Sequence, residues 1–166
     1  MNTWKVSTLI LSLLLIISLI WIFHQKNTYQ KEQLIHYSLN HAQVVLALDG
    51  LIPEYEKTGN PQNLATWTSE RSGISSYMRT PSYTAAFITR DFDYDIARVL
   101  REIHKKALNN TIEATDIERL KIVRDLHDVF EKTIYPTMDT KSVKQFENDF
   151  TEFMAYYETQ KELLFK

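Results

Sequence analysis

The stretch that decides the fold lies near the N-terminus, where residues 6–23 read VSTLILSLLLIISLIWIF. It carries no charge, and its eighteen residues rise roughly 27 Å as an α-helix, close to the ~30 Å hydrocarbon thickness of a bilayer. Trp4 and Lys5 precede it, and Trp21 and Lys26 lie at its other end. Aromatic rings and lysines at both ends are typical of a membrane-spanning helix. The sequence therefore predicts one transmembrane helix.

The alternative for this apolar stretch is a cleaved signal peptide. The stretch is longer than the apolar region of such a peptide, which has about 7–15 residues. The sequence IWIFHQKN that ends it also lacks the small residues that a signal peptidase requires. We therefore expect a short leader over residues 1–5, an uncleaved signal-anchor helix over residues 6–23 and a single domain over residues 24–166.

The orientation of the membrane helix is less strongly encoded. Lys5 lies on one side of the helix, and Lys26 and Lys31 lie close to it on the other. The distribution of positive charge therefore does not determine which end of the helix faces the cytoplasm. A short leader before a large C-terminal domain favours insertion with the N-terminus inside the cell. We expect a single-pass protein of the cell membrane whose C-terminal domain is extracytoplasmic.

Helical periodicity dominates the domain, and no alternating strand run longer than chance interrupts it. Gly59-Asn60-Pro61 marks a boundary between two helices. Gly59 is typical of the position after a helix, Asn60 of the N-cap and Pro61 of the first helical position. Thr115-Asp116-Ile117-Glu118 is typical of a capping box. The apolar spacing predicts helices over residues 27–58, 61–78, 83–108, 115–134 and 140–164. The predicted fold is all-α, with the membrane helix continuing into an antiparallel four- or five-helix bundle.

Composition excludes several classes of function. The 166 residues contain no Cys and only three Gly, and the net charge is −2. Without Cys there is no disulfide scaffold, thiol chemistry or Cys-ligated metal. Three scattered Gly cannot form a phosphate-binding loop, and a nearly neutral chain gives no argument for nucleic acid. No cofactor is predicted.

Metal and acid–base chemistry would have to come from His or carboxylates. His104 and His127 lie beside core positions of the third and fourth predicted helices, where they could meet. The spacing of Asp91, Asp93, Asp95 and Glu102 matches oxygen-donor positions of a calcium-binding loop. However, Ile96 stands where that loop needs Gly. A solvated N-terminal helical face is the alternative interpretation of these acids.

One stretch differs from the rest because it has no acidic residue between Glu70 and Asp91. Arginines and tyrosines in such a stretch suit phosphate, carboxylate or lipid headgroups. The alternative is a hydroxyl-rich connection whose arginines pair with acids of the domain. The candidate residues for binding an anion or a partner are Arg71, Tyr77, Arg79, Tyr83 and Arg90.

The sequence therefore predicts a membrane-anchored helical module that binds another membrane or envelope protein, or an anionic ligand, as an accessory subunit or scaffold. The short leader predicts no output domain on the far side of the membrane. Two alternatives stay open. One is a membrane-anchored enzyme that acts on envelope or lipid substrates through carboxylates or His. The other is a purely structural spacer.

Overall fold

The computed structural model describes residues 3–74, 88–134, 138 and 140–166. Within these ranges the chain forms five α-helices and no strand, so the all-α prediction is confirmed. The helices are α1 (Thr3–Thr58), α2 (Gln62–Ile74), α3 (Arg90–Leu108), α4 (Ala114–Ile134) and α5 (Val143–Gln160), and a 3₁₀ turn (Lys161–Phe165) follows α5.

Helix α1 has two parts with different surroundings. Residues 7–29 are exposed along their whole length, and their apolar window is long enough to cross a membrane. Burial begins at Leu34 and recurs at Tyr37, His41, Val44 and Leu48, which are steps of three and four residues. One uninterrupted helix of 56 residues therefore joins the apolar segment to the interior of the domain.

The boundary after α1 forms as the sequence predicts. Gly59 adopts φ 65°, a left-handed conformation that Gly enters without steric cost. Its N–H donates to the Tyr55 carbonyl at 2.8 Å. The Asn60 Oδ1 then accepts from the Gln62 N–H at 3.0 Å, which satisfies a free donor at the start of α2.

The core is one apolar cluster to which all five helices contribute. Helix α1 packs mainly against α4, and α2 packs mainly against α3. Helix α5 adds Phe146, Phe150, Phe153 and Tyr157, which are spaced four, three and four residues apart and are all buried. A capping box between Ser142 and Gln145 starts α5. The antiparallel order of the helices stays a prediction.

The start of α4 differs from its predicted form. The helix begins at Ala114, two residues before Asp116, which would be the first helical residue of a capping box that starts at Thr115. The carboxylate of Asp116 accepts from the Glu113 N–H at 2.9 Å. The Lys106 ammonium lies 2.9 Å from both oxygens of the same carboxylate. Asp116 is 1% exposed and ties the end of α3 to the start of α4.

We expect Asp116→Ala to lower the free energy of unfolding by about 2 kcal/mol, because the Glu113 N–H loses its capping acceptor and Lys106 loses its closest carboxylate, keeping only Glu113 at 3.3 Å. Asp125→Ala is the matched control on α4, since Asp125 is exposed and pairs with Arg124 at the surface, where such pairs contribute up to about 1 kcal/mol. Urea unfolding of the full-length protein in detergent micelles, followed by circular dichroism, measures both. Equal losses for the two variants would contradict a structural role for Asp116.

Candidate functional site

Two histidines meet at the centre of the domain. His41 of α1 and His127 of α4 are both fully buried, and their ring centroids are 4.9 Å apart. The His41 ring stacks on Phe130 at a centroid distance of 3.7 Å. It also lies nearly parallel to the ring of Phe92, at 5.8 Å. The pair therefore sits among aromatic rings where α1 and α4 pack together.

Three ring nitrogens of this pair have no hydrogen-bond partner among the described residues. The His127 Nδ1 lies 2.8 Å from the Val123 carbonyl and donates to it, which places the lone pair of the ring on Nε2. That Nε2 and both ring nitrogens of His41 are buried and unpartnered. An unsatisfied buried polar atom costs about 1–3 kcal/mol. Three in one place are unusual for a folded core.

A second polar group lies close by, where α1 meets the start of α3. The Tyr37 hydroxyl donates to Asp93 Oδ1 at 2.9 Å and lies 3.0 Å from Thr89 Oγ1. Thr89 in turn donates to Asp93 Oδ2 at 3.2 Å. Tyr37 also packs edge-on against His41, with ring centroids 4.7 Å apart. We call Tyr37, His41, Thr89, Asp93 and His127 the buried polar cluster.

Burial dominates the electrostatics of the cluster. It raises the pKa of Asp93 to about 7, against the opposing effect of hydrogen bonds from Tyr37 and Thr89. Part of the Asp93 residue remains exposed, but its carboxyl group is enclosed. Burial also lowers the pKa of His127 to about 4, although the hydrogen bond to Val123 opposes this. The pKa of His41 is lowered well below its ordinary value by burial, then by His127 and Arg71.

A small cavity of about 10 Å³ lies beside the cluster, which is enough for one water-sized group. Arg71, Asp93 and His127 supply its polar lining. The Arg71 guanidinium is half-buried and donates from Nη2 to Gln43 Oε1 at 3.1 Å. No carboxylate among the described residues forms an ion pair with it. Arg71 is therefore a partly desolvated cation beside two neutral imidazoles.

The predicted anion-binding residues are found in different places. Arg71 reaches the cavity. Arg90, the first residue of α3, is exposed and lies 3.6 Å from the carboxylate of Asp91, as the alternative interpretation of paired arginines expects. Tyr77, Arg79 and Tyr83 lie outside the described residues. Only Arg71 of the five can be placed beside the buried polar cluster.

The four acidic metal candidates lie along one continuous helix and have separate partners. Asp91 pairs with Arg90, and Asp93 belongs to the buried polar cluster. Asp95 accepts from the Tyr157 hydroxyl at 2.6 Å and pairs with Lys161. Glu102 pairs with Arg119 at 2.7 Å. In the described part of the chain no three His, Asp or Glu residues are grouped to hold a metal ion.

The structure pairs the histidines differently from the sequence interpretation. His104 does not meet His127. Its Nδ1 lies 3.0 Å from the Ala65 carbonyl and links α3 to α2. His127 instead lies against His41, which is not among the residues predicted to meet it. The available signal was the place of His41 on the buried stripe of α1, four residues after Tyr37.

Comparison of the chain with protein families, curated proteins and solved structures finds no match.

Proposed function

We propose that this protein is a single-pass membrane protein whose helical domain is a binding module for another membrane or envelope protein. The observation that carries the proposal is the division of α1. Its exposed residues 7–29 are apolar over a membrane-spanning length, whereas its second half is buried from Leu34 onward. An apolar surface of this size is unfavourable in water and is explained by lipid.

The same helix sets the distance between the domain and the bilayer. About ten residues separate the apolar stretch, which ends at Phe23, from the first buried core position, Leu34. At ~1.5 Å per residue these ten residues span roughly 15 Å. A continuous helix of this length is stiffer than a flexible linker. The domain is therefore held near the surface, where a membrane or envelope partner is within reach.

Arg71 is the residue that we propose contacts the partner. Its guanidinium is half-buried, which lowers its pKa by desolvation, and Gln43 is a neutral hydrogen-bond partner. The charge of Glu70 raises this pKa in the opposite direction, but no ion pair with Arg71 forms among the described residues. A carboxylate or phosphate group of the partner would supply that direct ionic contact in bidentate form. Gln43 is exposed, so this position is open to solvent on the α1 side.

We propose that the five helices form one antiparallel bundle and that this bundle lies outside the cytoplasm. A single core shared by all five helices supports a single domain. Protease added to intact cells tests the orientation, since digestion of the domain only after lysis would contradict the extracytoplasmic assignment.

Crosslinking in native membranes tests the binding function. A photo-crosslinking residue at Gln43 should capture a defined membrane or envelope protein, identified by mass spectrometry. Arg71→Ala should reduce that capture at least tenfold, because an ionic contact worth about 1.5–3 kcal/mol is lost. Arg101→Ala is the control, since Arg101 is an exposed arginine of α3 away from the cavity. Equal capture by both variants would contradict the role of Arg71.

Hydrolysis of an envelope or lipid substrate that one His or Asp substitution abolishes would favour the enzyme alternative.

A further inference from the structure

We propose that the His41–His127 pair is an acid-operated switch that loosens the contact between α1 and α4. The two rings lie where α1 makes its most extensive packing contact. Both rings are fully buried, and three of their four nitrogens have no partner among the described residues. This inference concerns the domain itself and does not depend on the identity of a binding partner.

The geometry leaves no place for a second proton on either ring. An imidazolium donates from both nitrogens and needs an acceptor at each. The His127 Nδ1 has the Val123 carbonyl, but its Nε2 and both nitrogens of His41 have no acceptor. A second proton on either ring would therefore place a buried positive charge beside at least one N–H without an acceptor, which a protein core does not stabilise. Protonation requires that the rings reach water.

The groups that face the pair from the other elements do not compensate for such a charge. Helix α2 supplies the Arg71 guanidinium, whose positive charge opposes protonation of both histidines. Helix α5 supplies the Phe153 ring, which contacts Phe92 and Phe130. It also supplies Tyr157, whose hydroxyl donates to Asp95, a residue that Lys161 also contacts.

Asp93 of α3 is the carboxyl group that faces the cavity beside His127. Both its oxygens already accept from Tyr37, and Oδ2 accepts from Thr89 as well. Its pKa of about 7, raised by burial, means that it takes up a proton before the histidines do. Acidification therefore removes the nearby negative charge first and leaves Arg71 beside the pair.

The direction of the pH dependence follows from the proton balance. Below the ordinary histidine pKa of 6.5, the loosened state holds a proton on each of the two histidines. In the closed state burial lowers the pKa of both, to about 4 for His127 and well below its ordinary value for His41, so that neither ring holds a second proton just below pH 6.5. Asp93 acts in the opposite direction, because it is protonated in the closed state and ionised in the loosened state down to its ordinary pKa of 3.8. The loosened state therefore binds one more proton than the closed state. Its population relative to the closed state rises about tenfold for each pH unit of acidification in this window.

The position of the pair connects this switch to the membrane. His41 lies in the same continuous helix as the apolar segment, and His127 lies in the helix that holds α1 in the core. Loosening this contact frees the buried half of α1 while the first half stays in lipid. Acidification then changes the surface that the domain presents next to the membrane.

Hydrogen–deuterium exchange of the full-length protein in detergent micelles tests the proposal. Exchange rates are corrected for the intrinsic effect of pH and followed for residues 34–52 of α1 and 117–134 of α4. Their protection should fall about tenfold per pH unit between pH 6.5 and 4.5. In His41→Phe combined with His127→Leu, only the opposing Asp93 proton remains, so protection should rise on acidification, by up to tenfold per pH unit. His36→Gln, which changes an exposed histidine of α1, should behave as the wild type.

Asp93→Asn provides a second, independent test, because it removes the opposing proton. In this variant the protection of the α1 and α4 amides should fall more steeply on acidification than in the wild type, by up to a hundredfold per pH unit. Wild-type protection that stays constant from pH 6.5 to 4.5 would overturn the proposal without any variant. So would ¹³C-labelled His41 and His127 that titrate near pH 6.5 while the amides of α1 and α4 stay protected.

Discussion

Phe130→Ala is expected to lower the free energy of unfolding by about 3–5 kcal/mol, the usual cost of deleting a fully buried aromatic side chain. Phe130 is 0% exposed and stacks on His41 at 3.7 Å between centroids. Its centroid is also 4.9 Å from Phe153 of α5 and 5.8 Å from Tyr37 of α1. Removing this ring therefore deletes contacts of α4 with α1 and α5 and opens a cavity in a close-packed core.

Tyr94→Ala is the matched control for this prediction. Tyr94 is also an aromatic residue within a helix, but it is 62% exposed, and such surface changes usually lie within about 0.5 kcal/mol. Urea unfolding of the full-length protein in micelles, followed by circular dichroism, gives both values. A loss below about 1 kcal/mol for Phe130→Ala would mean that the aromatic cluster is not the centre of the core.

Leu14→Arg combined with Leu15→Arg should move most of the protein out of the membrane fraction. These residues lie at the middle of the apolar stretch over residues 6–23, where each Arg disfavours insertion by about 2.5–3.5 kcal/mol. Two such charges outweigh the gain from the remaining apolar side chains. Quantitative immunoblotting of membrane and soluble fractions after ultracentrifugation measures the change.

The control for this variant places the same two charges on the domain. Leu46 and Leu108 are 73% and 64% exposed, so Leu46→Arg combined with Leu108→Arg adds equal charge to surfaces that we assign to water. This variant should stay in the membrane fraction. Both double variants remaining there, or both leaving it, would contradict the assignment of residues 6–23 as the part that lies in lipid.

Local features of the fold could be predicted because local chemistry determines them. Gly59 and Asn60 form their boundary from neighbouring backbone groups alone. The start of α4 was placed within one residue, but Asp116 caps it in place of Thr115, because Lys106 from α3 adds a contact that no local rule contains. The cap of α5 was missed, although Ser142 and Gln145 carry the required spacing in the sequence.

The candidate site could be predicted only in part. Arg71 stood out from the sequence because it belongs to a stretch without acids, but the cavity beside it depends on residues of three other helices. His41 and His127 are 86 positions apart, and periodicity shows only that each lies on a buried stripe. Packing across the core determines which helices face each other through their buried stripes. The sequence therefore favours His104 as a partner for His127 as much as His41.

The central claim is that one uninterrupted chain lies in the membrane through residues 6–23 and carries the helical domain behind it. Peptide mapping by mass spectrometry of carbonate-washed membranes tests it most directly. We predict that peptides from residues 6–23 and from the domain occur in the same full-length species and that this species resists the alkaline wash. A soluble species whose first residue lies after position 23 would contradict the claim and establish a cleaved signal peptide instead.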